Sequence, residues 1–226
     1  MSQQEGVIKF DLAFTPGPPL PAGDLTELNA WRRILYQVGL TGRDPARYEG
    51  LAFGNVSLRL PPFAAPPLQR PFAISGTQTG ALAALGPEHY ALVQSCDPAC
   101  NRVSATGPVR PSSEALTHGA LYALDTDLHC VLHVHSPLLW HQAAPLGLPA
   151  TAADAAYGTP AMAAAVACLF ADPGVRAGGI LVMGGHEDGL VAFGASPEAA
   201  ATVLLTWLAR AYGAQGQLSQ PTAGRG

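Results

Sequence analysis

Two histidines, His133 and His135, stand one residue apart in the apolar run VLHVHSP. Successive strand side chains point to opposite faces, so both imidazoles share a face roughly 6 to 7 Å apart, and their nitrogens can converge on one ion. Histidine ligates Zn²⁺ through Nε2 or Nδ1, and a catalytic zinc site needs a third protein ligand and an open position. The pair is incomplete by itself: a metal site and a histidine pair satisfied by hydrogen bonds both fit HVH. The third ligand should be a histidine elsewhere. His186 stands in MGGHEDG, a glycine-rich break after an apolar strand, costly in conformational entropy and with no evident packing purpose. His89, His129 and His141 are weaker candidates, His89 falling in a helix-like surface segment and His129 at a turn.

Glu114 strengthens the metal reading. It begins a helix leading straight into the histidine strand, at the end where the helix dipole favours an anion. His118 follows four residues later on the same helical face. The alternative is an ordinary first-turn glutamate with an exposed histidine. Cys96 and Cys100 in CDPAC are spaced one residue wider than CxxC around a proline, and read as a loop with two incidental thiols.

These groups need elements to position them. GVIKFDLAF predicts a short strand, TPGPPLPAG is too rich in Pro and Gly to be regular, and Asp24 is placed to cap the next helix. Leu25, Leu28, Trp31, Ile34, Leu35 and Val38 recur at helical spacing up to Gly39, which predicts a core-facing helix. NVSLRL and RPFAIS read as strands around a Pro-rich turn, with HYALVQSC and NRVSAT as a second pair. SSEALTHGALYAL predicts a helix over 112–124 capped by Ser112 or Ser113, followed by the strand CVLHVHS. Thr159 and Pro160 open AMAAAVACLFA, which Asp172-Pro173-Gly174 ends. GGILVMGG and GLVAFG form a strand pair interrupted by HED. Ser196-Pro197 opens the last helix, leaving 213–226 as a frayed tail. The sum is layers of helices on a mixed or mostly antiparallel sheet.

The chain has 226 residues, which one domain (1–226) can accommodate. It is 48% hydrophobic and only 12% charged, a globular composition whose sparse surface charge points to area buried in an oligomer. Its net charge is −4 and Lys9 is the one lysine, which argues against a nucleic acid or an anionic membrane as partner. No apolar run is long enough to span a bilayer. Four cysteines and a start unlike a signal peptide fit a reducing cytoplasm.

In this order, GNVSLR, ISGTQTG, RPSSEALTHGALY, VLHVHSP, YGTPAMA and GGHEDGLVAFG resemble the class II aldolase/adducin family, from about residue 24 to 212. PSSE followed four residues later by His, and then by HxHS, is far more specific than any single motif. The resemblance implies an α/β fold, a three-layer α/β/α sandwich around a mostly antiparallel sheet, assembled as a homotetramer. It implies that His133, His135 and His186 hold a divalent metal, usually Zn²⁺ with Mn²⁺, Fe²⁺ or Co²⁺ as alternatives, and that Glu114 is the acid/base residue. His118 would stand behind them, orienting Glu114 or a ligand. The implied activity is that of a lyase cleaving or forming a carbon–carbon bond in a small hydroxylated carbonyl compound through a metal-stabilised enediolate. Dehydration or epimerisation at the same site, and a non-catalytic adducin-like scaffold, are the other family outcomes.

Asn55, Ser112 and Ser113 match positions that cradle phosphate in the sugar-phosphate enzymes, where N–H groups at a helix start suit an anion, and Ser75 and Gly76 are candidate donors from a turn that departs from the family's. The chain departs from the pattern in four places. Ala52 replaces a hydroxyl residue, and ISGTQTG replaces the usual phosphate turn. The segment between HVHS and YGTP is short and lacks the tyrosine that protonates the leaving group, with His141 or Tyr157 as substitutes. Glu187 and Asp188 are inserted after His186, either as partners of a metal histidine or as solvated turn residues.

Overall fold

The computed structural model describes residues 6–218. In chain order the elements are β1 (Asp11–Pro16), α1 (Thr26–Gln37), β2 (Gly42–Arg43), β3 (Ala52–Phe53), β4 (Asn55–Arg59), β5 (Phe72–Ser75), β6 (Tyr90–Asp97) and β7 (Arg102–Gly107). They continue with α2 (Ala115–Leu124), β8 (Cys130–His135), α3 (Pro137–His141), α4 (Pro160–Phe170), α5 (Pro173–Gly178), β9 (Ile180–Val182), β10 (Gly189–Gly194) and α6 (Pro197–Leu218). Eight strands form one mixed sheet in the order β1-β7-β6-β5-β4-β8-β10-β9, while β2 and β3 pair separately. β1 runs parallel to β7, and the other neighbours in the large sheet are antiparallel.

Side-chain alternation gives this sheet two apolar faces. Phe72 and Ile74 of β5, Val131 of β8 and Val191 of β10 join one core, which α2 and α4 complete through Leu116, Leu121, Met162 and Val166. Ala73, Leu132, Val134 and Leu190 point the other way, into a core with Leu28 and Leu35 of α1 and Leu204 of α6. Each fully buried Leu, Ile or Val contributes roughly 1.5 to 3 kcal/mol relative to exposure. His133 continues the Val131 face and lies directly across the ladder from Asn55. The functional side chains thus end an otherwise apolar stripe beneath α2.

Several boundaries differ from the sequence expectation, each for a local reason. β1 begins at Asp11, not at Gly6. Asp24 does not cap α1: it lies inside a 3-10 turn over Ala22–Leu25, and Leu25 takes the cap position with no side-chain bond. Ile34 of α1 and Val38 just after it are exposed, whereas Arg32 is buried. Neither serine caps α2, because Ser112 N donates to Ser75 O at 3.1 Å and ties that segment to the sheet, so the helix starts after Glu114. Asp172 ends α4 and also opens α5, its Oδ1 accepting Gly174 N at 2.7 Å. α6 runs on to Leu218, past the expected start of the tail at Gly213, and 219–226 lie outside the described residues. Thr159 and Ser196 do cap their helices, accepting from Met162 N at 3.3 Å and Ala199 N at 3.1 Å. Among the described residues no helix is long and apolar enough to cross a membrane.

Candidate metal centre

β8 is paired on both sides, which fixes the backbone that aims His133 and His135. His186 arrives from the loop between β9 and β10, closed by Met183 N donating to Gly189 O at 2.9 Å and His186 N donating to Met183 O at 3.0 Å. The glycines of this loop do have a packing purpose, contrary to the expectation from sequence. A Cβ on Gly184 would lie 2.2 Å from Thr151 O, and one on Gly185 would lie 2.0 Å from Ala155 O. Only glycine lets the loop press down far enough to deliver His186.

The delivery is convergent. His135 Nε2 lies 3.1 Å from His133 Nε2 and 3.1 Å from His186 Nε2. Three nitrogens about 2.0 to 2.1 Å from one tetrahedral ion would stand about 3.3 Å apart, close to this spacing. His133 Nδ1 meets the Leu190 carbonyl at 3.0 Å. A carbonyl only accepts, so the proton sits on Nδ1 and the Nε2 lone pair turns inward. All three rings are at most 4% exposed. Burial lowers the pKa of His133 to about 4 and holds His135 and His186 well below the ordinary histidine value, so the uncharged, ligating form prevails at neutral pH. The group could therefore hold a metal ion, and its donor set fits a divalent one.

Glu114 is buried at the edge of the triad, with Oε2 3.4 Å from His133 Nδ1 and Oε1 3.4 Å from His186 Nε2. It also lines a polar pocket with Asn55, Gly76, Thr77, Ser112 and Ser113. Asn55 Oδ1 is buried with no hydrogen-bond partner among the described residues. The structure thus brings together Glu114, Asn55, Gly76, Ser112 and Ser113 beside the histidines. Ser75 is not part of that wall: its Oγ accepts Val56 N at 3.1 Å inside the sheet. His118 is fully buried, with Nδ1 2.7 Å from Ser57 Oγ, which lies 2.7 Å from Tyr122 Oη. Burial and then His133 lower its pKa to about 3, so it too is neutral.

Of the two substitutes for the tyrosine, Tyr157 is buried with its ring 4.5 Å from that of His186, whereas His141 is exposed at the end of α3. Glu187 is exposed, but Asp188 is fully buried and accepts from Tyr48 Oη at 2.6 Å. The Tyr48 ring stands edge-on to His135 at 4.6 Å. Sequence reasoning missed Tyr48, and also Lys9, whose Nζ lies 3.4 Å from the Tyr157 ring centroid and whose charge reaches His186. It missed Arg32 as well, which donates to Thr79 O at 3.2 Å and Gly80 O at 2.8 Å and so anchors the loop behind the pocket. An arginine interrupting the apolar stripe of α1 was the available signal.

A mixed sheet carrying three convergent histidines and a carboxylate beside a polar pocket defines an α/β protein built around a candidate metal centre. The family profile described as Class II Aldolase and Adducin N-terminal domain matches residues 45–212, and the chain belongs to that family. Membership supports an aldolase-like lyase. No curated protein matches the chain significantly. Among solved structures, it is similar to YgbL, a putative aldolase/epimerase/decarboxylase from Escherichia coli, at 20% identity and TM-score 0.61 over 86% of this chain and 89% of that one. It is also similar to L-fuculose-1-phosphate aldolase from Thermus thermophilus, at 16% identity and TM-score 0.61 over 89% and 100%. A sugar-phosphate aldolase from Thermotoga maritima aligns at 14% identity and TM-score 0.62 over 89% and 98%. At these identities the likeness is one of fold.

Proposed function

We propose that the protein is a metal-dependent aldolase acting on a small hydroxylated carbonyl compound of the sugar-phosphate class. The observation that carries this reading is the convergence of His133, His135 and His186 next to Glu114, at the wall of the pocket lined by Asn55, Ser112 and Ser113. The three histidines would hold the ion, Zn²⁺ first and Mn²⁺, Fe²⁺ or Co²⁺ as alternatives. Such an ion supplies Lewis acidity toward a carbonyl and stabilises developing enediolate charge.

The chain's own groups do the rest. Glu114 moves the proton at the carbon or hydroxyl next to the carbonyl. Asn55 Oδ1 accepts from a substrate hydroxyl, and Ser112 and Ser113 donate to the anionic end together with backbone N–H groups. Lys9 adds positive charge on the Tyr157 side. Tyr157, packed on His186, is the candidate acid for the leaving group. His118 keeps the floor of the site in place through Ser57 and Tyr122. We extend the proposal to α/β/α layering, with helices on both faces of a sheet antiparallel except at β1, to a homotetramer and to the cytoplasm. Exposed Leu68 and Leu124 and four free cysteines agree with the last two.

Product analysis tests the reaction. Protein purified without a polyhistidine tag and loaded with Zn²⁺ is incubated with a panel of ketose and aldose phosphates. Release of an aldehyde fragment supports aldol cleavage, a dehydrated or epimerised product moves the assignment to the other family reactions, and no product together with no bound metal leaves the scaffold.

A further inference from the structure

We infer that Arg47, Tyr48 and Asp188 form a clasp that positions two of the metal-ligating histidines, His135 and His186. The inference rests on the metal-centre reading above and adds to it three residues outside the histidine triad. Asp188 lies two residues after His186, in the same loop, and is fully buried. A buried carboxylate is tolerated only when paired and hydrogen-bonded. Both conditions come from the loop between β2 and β3: Tyr48 Oη donates to Asp188 Oδ2 at 2.6 Å, and the Arg47 guanidinium pairs with the same oxygen. Arg47 also stands 3.6 Å from the exposed Glu187.

The clasp reaches the second histidine through the Tyr48 ring, edge-on to His135 at 4.6 Å and 76°, with Phe53 packed 5.2 Å from Tyr48 and 5.4 Å from His135. Tyr48 and Asp188 both adopt left-handed backbone conformations, with φ of 51° and 61°. That region costs a non-glycine residue on the order of 1 to 3 kcal/mol and persists where surrounding contacts over-determine it. Two such residues meeting in one hydrogen bond, each beside a different ligand, mark a built contact. The loop carrying Tyr48 thereby limits how far His135 and His186 can separate when they hold an ion. Groups that orient ligands in this way act chiefly on metal affinity, typically by ten- to hundredfold.

The test measures the Zn²⁺ dissociation constant of the full chain, stripped of metal, by competition with a chromophoric chelator. Tyr48→Phe keeps the ring and removes the hydroxyl, Asp188→Asn keeps the shape and removes the charge, and Glu187→Gln is the exposed control. The clasp predicts ten- to hundredfold weaker binding in the first two and a control within twofold of wild type. Affinities within twofold of wild type in both Tyr48→Phe and Asp188→Asn overturn the clasp and leave the metal centre standing, as does an equal loss in Glu187→Gln. A wild-type chain that takes up no Zn²⁺ overturns the centre and the clasp together. Tyr48→Phe retains the packing of the parent ring, so it reads the inference even if Asp188→Asn does not fold.

Discussion

His135 Nε2 and His186 Nε2 lie 3.1 Å apart although the two residues are separated by 51 positions in the chain. One rides on a fully paired strand and the other on a loop pressed against the Thr151 and Ala155 carbonyls. Neutral imidazole lone pairs at this distance repel each other, and a cation between them turns that repulsion into binding. His135→Ala removes the nitrogen shared by both close contacts. Wild type should contain stoichiometric metal by elemental analysis and gain about 2.7 kcal/mol of stability at a ligand concentration one hundred times Kd. His135→Ala should show neither, and a Zn²⁺-dependent rise in its melting temperature equal to wild type would remove His135 from the ligand set.

Glu114 reaches both His133 and His186 at 3.4 Å without belonging to the convergent set of nitrogens. Glu114→Gln preserves shape and loses proton transfer, so metal content should persist while kcat falls about 10² to 10⁴-fold. Metal loss matching that of His135→Ala would make Glu114 chiefly a ligand.

Asn55 and Ser75 were both expected to touch substrate, and the structure separates them. Asn55 faces the pocket, and Asn55→Ala should raise KM for a phosphorylated substrate about tenfold, equivalent to about 1.4 kcal/mol. Ser75→Ala orphans the buried Val56 N–H and should cost about 1 to 3 kcal/mol of folding stability with KM unchanged. Denaturant titration and steady-state kinetics on the two variants should give opposite patterns. The same pattern in both would undo the distinction.

The pKa of His118 falls from the ordinary 6.5 to about 3 in the folded chain, because burial and then His133 disfavour its charged form. The unfolded state binds the proton more readily, so the neutral ring contributes stability above pH 6.5 that is lost as the pH falls toward 3. Between those limits the group adds a slope of up to about 1.4 kcal/mol per pH unit. Calorimetry of metal-free protein from about pH 7 to about pH 5 should show a steeper decline in wild type than in His118→Gln. Parallel curves would assign the acid sensitivity elsewhere.

Gly185→Ala tests the seating of His186. Its Cβ would meet Ala155 O at 2.0 Å, a backbone atom with little room to move. The variant should bind Zn²⁺ about tenfold or more weakly than wild type and lose about 1 kcal/mol or more of stability, and calorimetry with chelator competition reads both. Unchanged affinity would show that the loop tolerates a different path.

Local chemistry was legible wherever the chain signals it within a few residues. The alternation in VLHVHS places both histidines on one face, Thr159-Pro160 and Ser196-Pro197 open α4 and α6, and the order of motifs carries the family. The cap at Ser112 was not legible because its competing partner lies outside the local window, whereas Asp24 is drawn into a turn whose partner, Pro21, is three residues away. Ser112 is claimed by Ser75 across the sheet, and Asp24 by a turn continuing from the Pro-rich segment. The purpose of Gly184 and Gly185 was hidden for the same reason as the partner of Ser112, since the carbonyls that require them belong to Thr151 and Ala155.

By itself, then, the sequence determined which side chains could ligate and move protons, because residue type and strand period are properties of a short stretch of chain. Only the tertiary structure decided which of them meet. It brought His186 to His135, withdrew Ser75 into the sheet, and divided Glu187 from Asp188, leaving one in solvent and burying the other against Tyr48. Those outcomes depend on long-range packing of elements from separate parts of the chain, and neither spacing nor residue type encodes that distance.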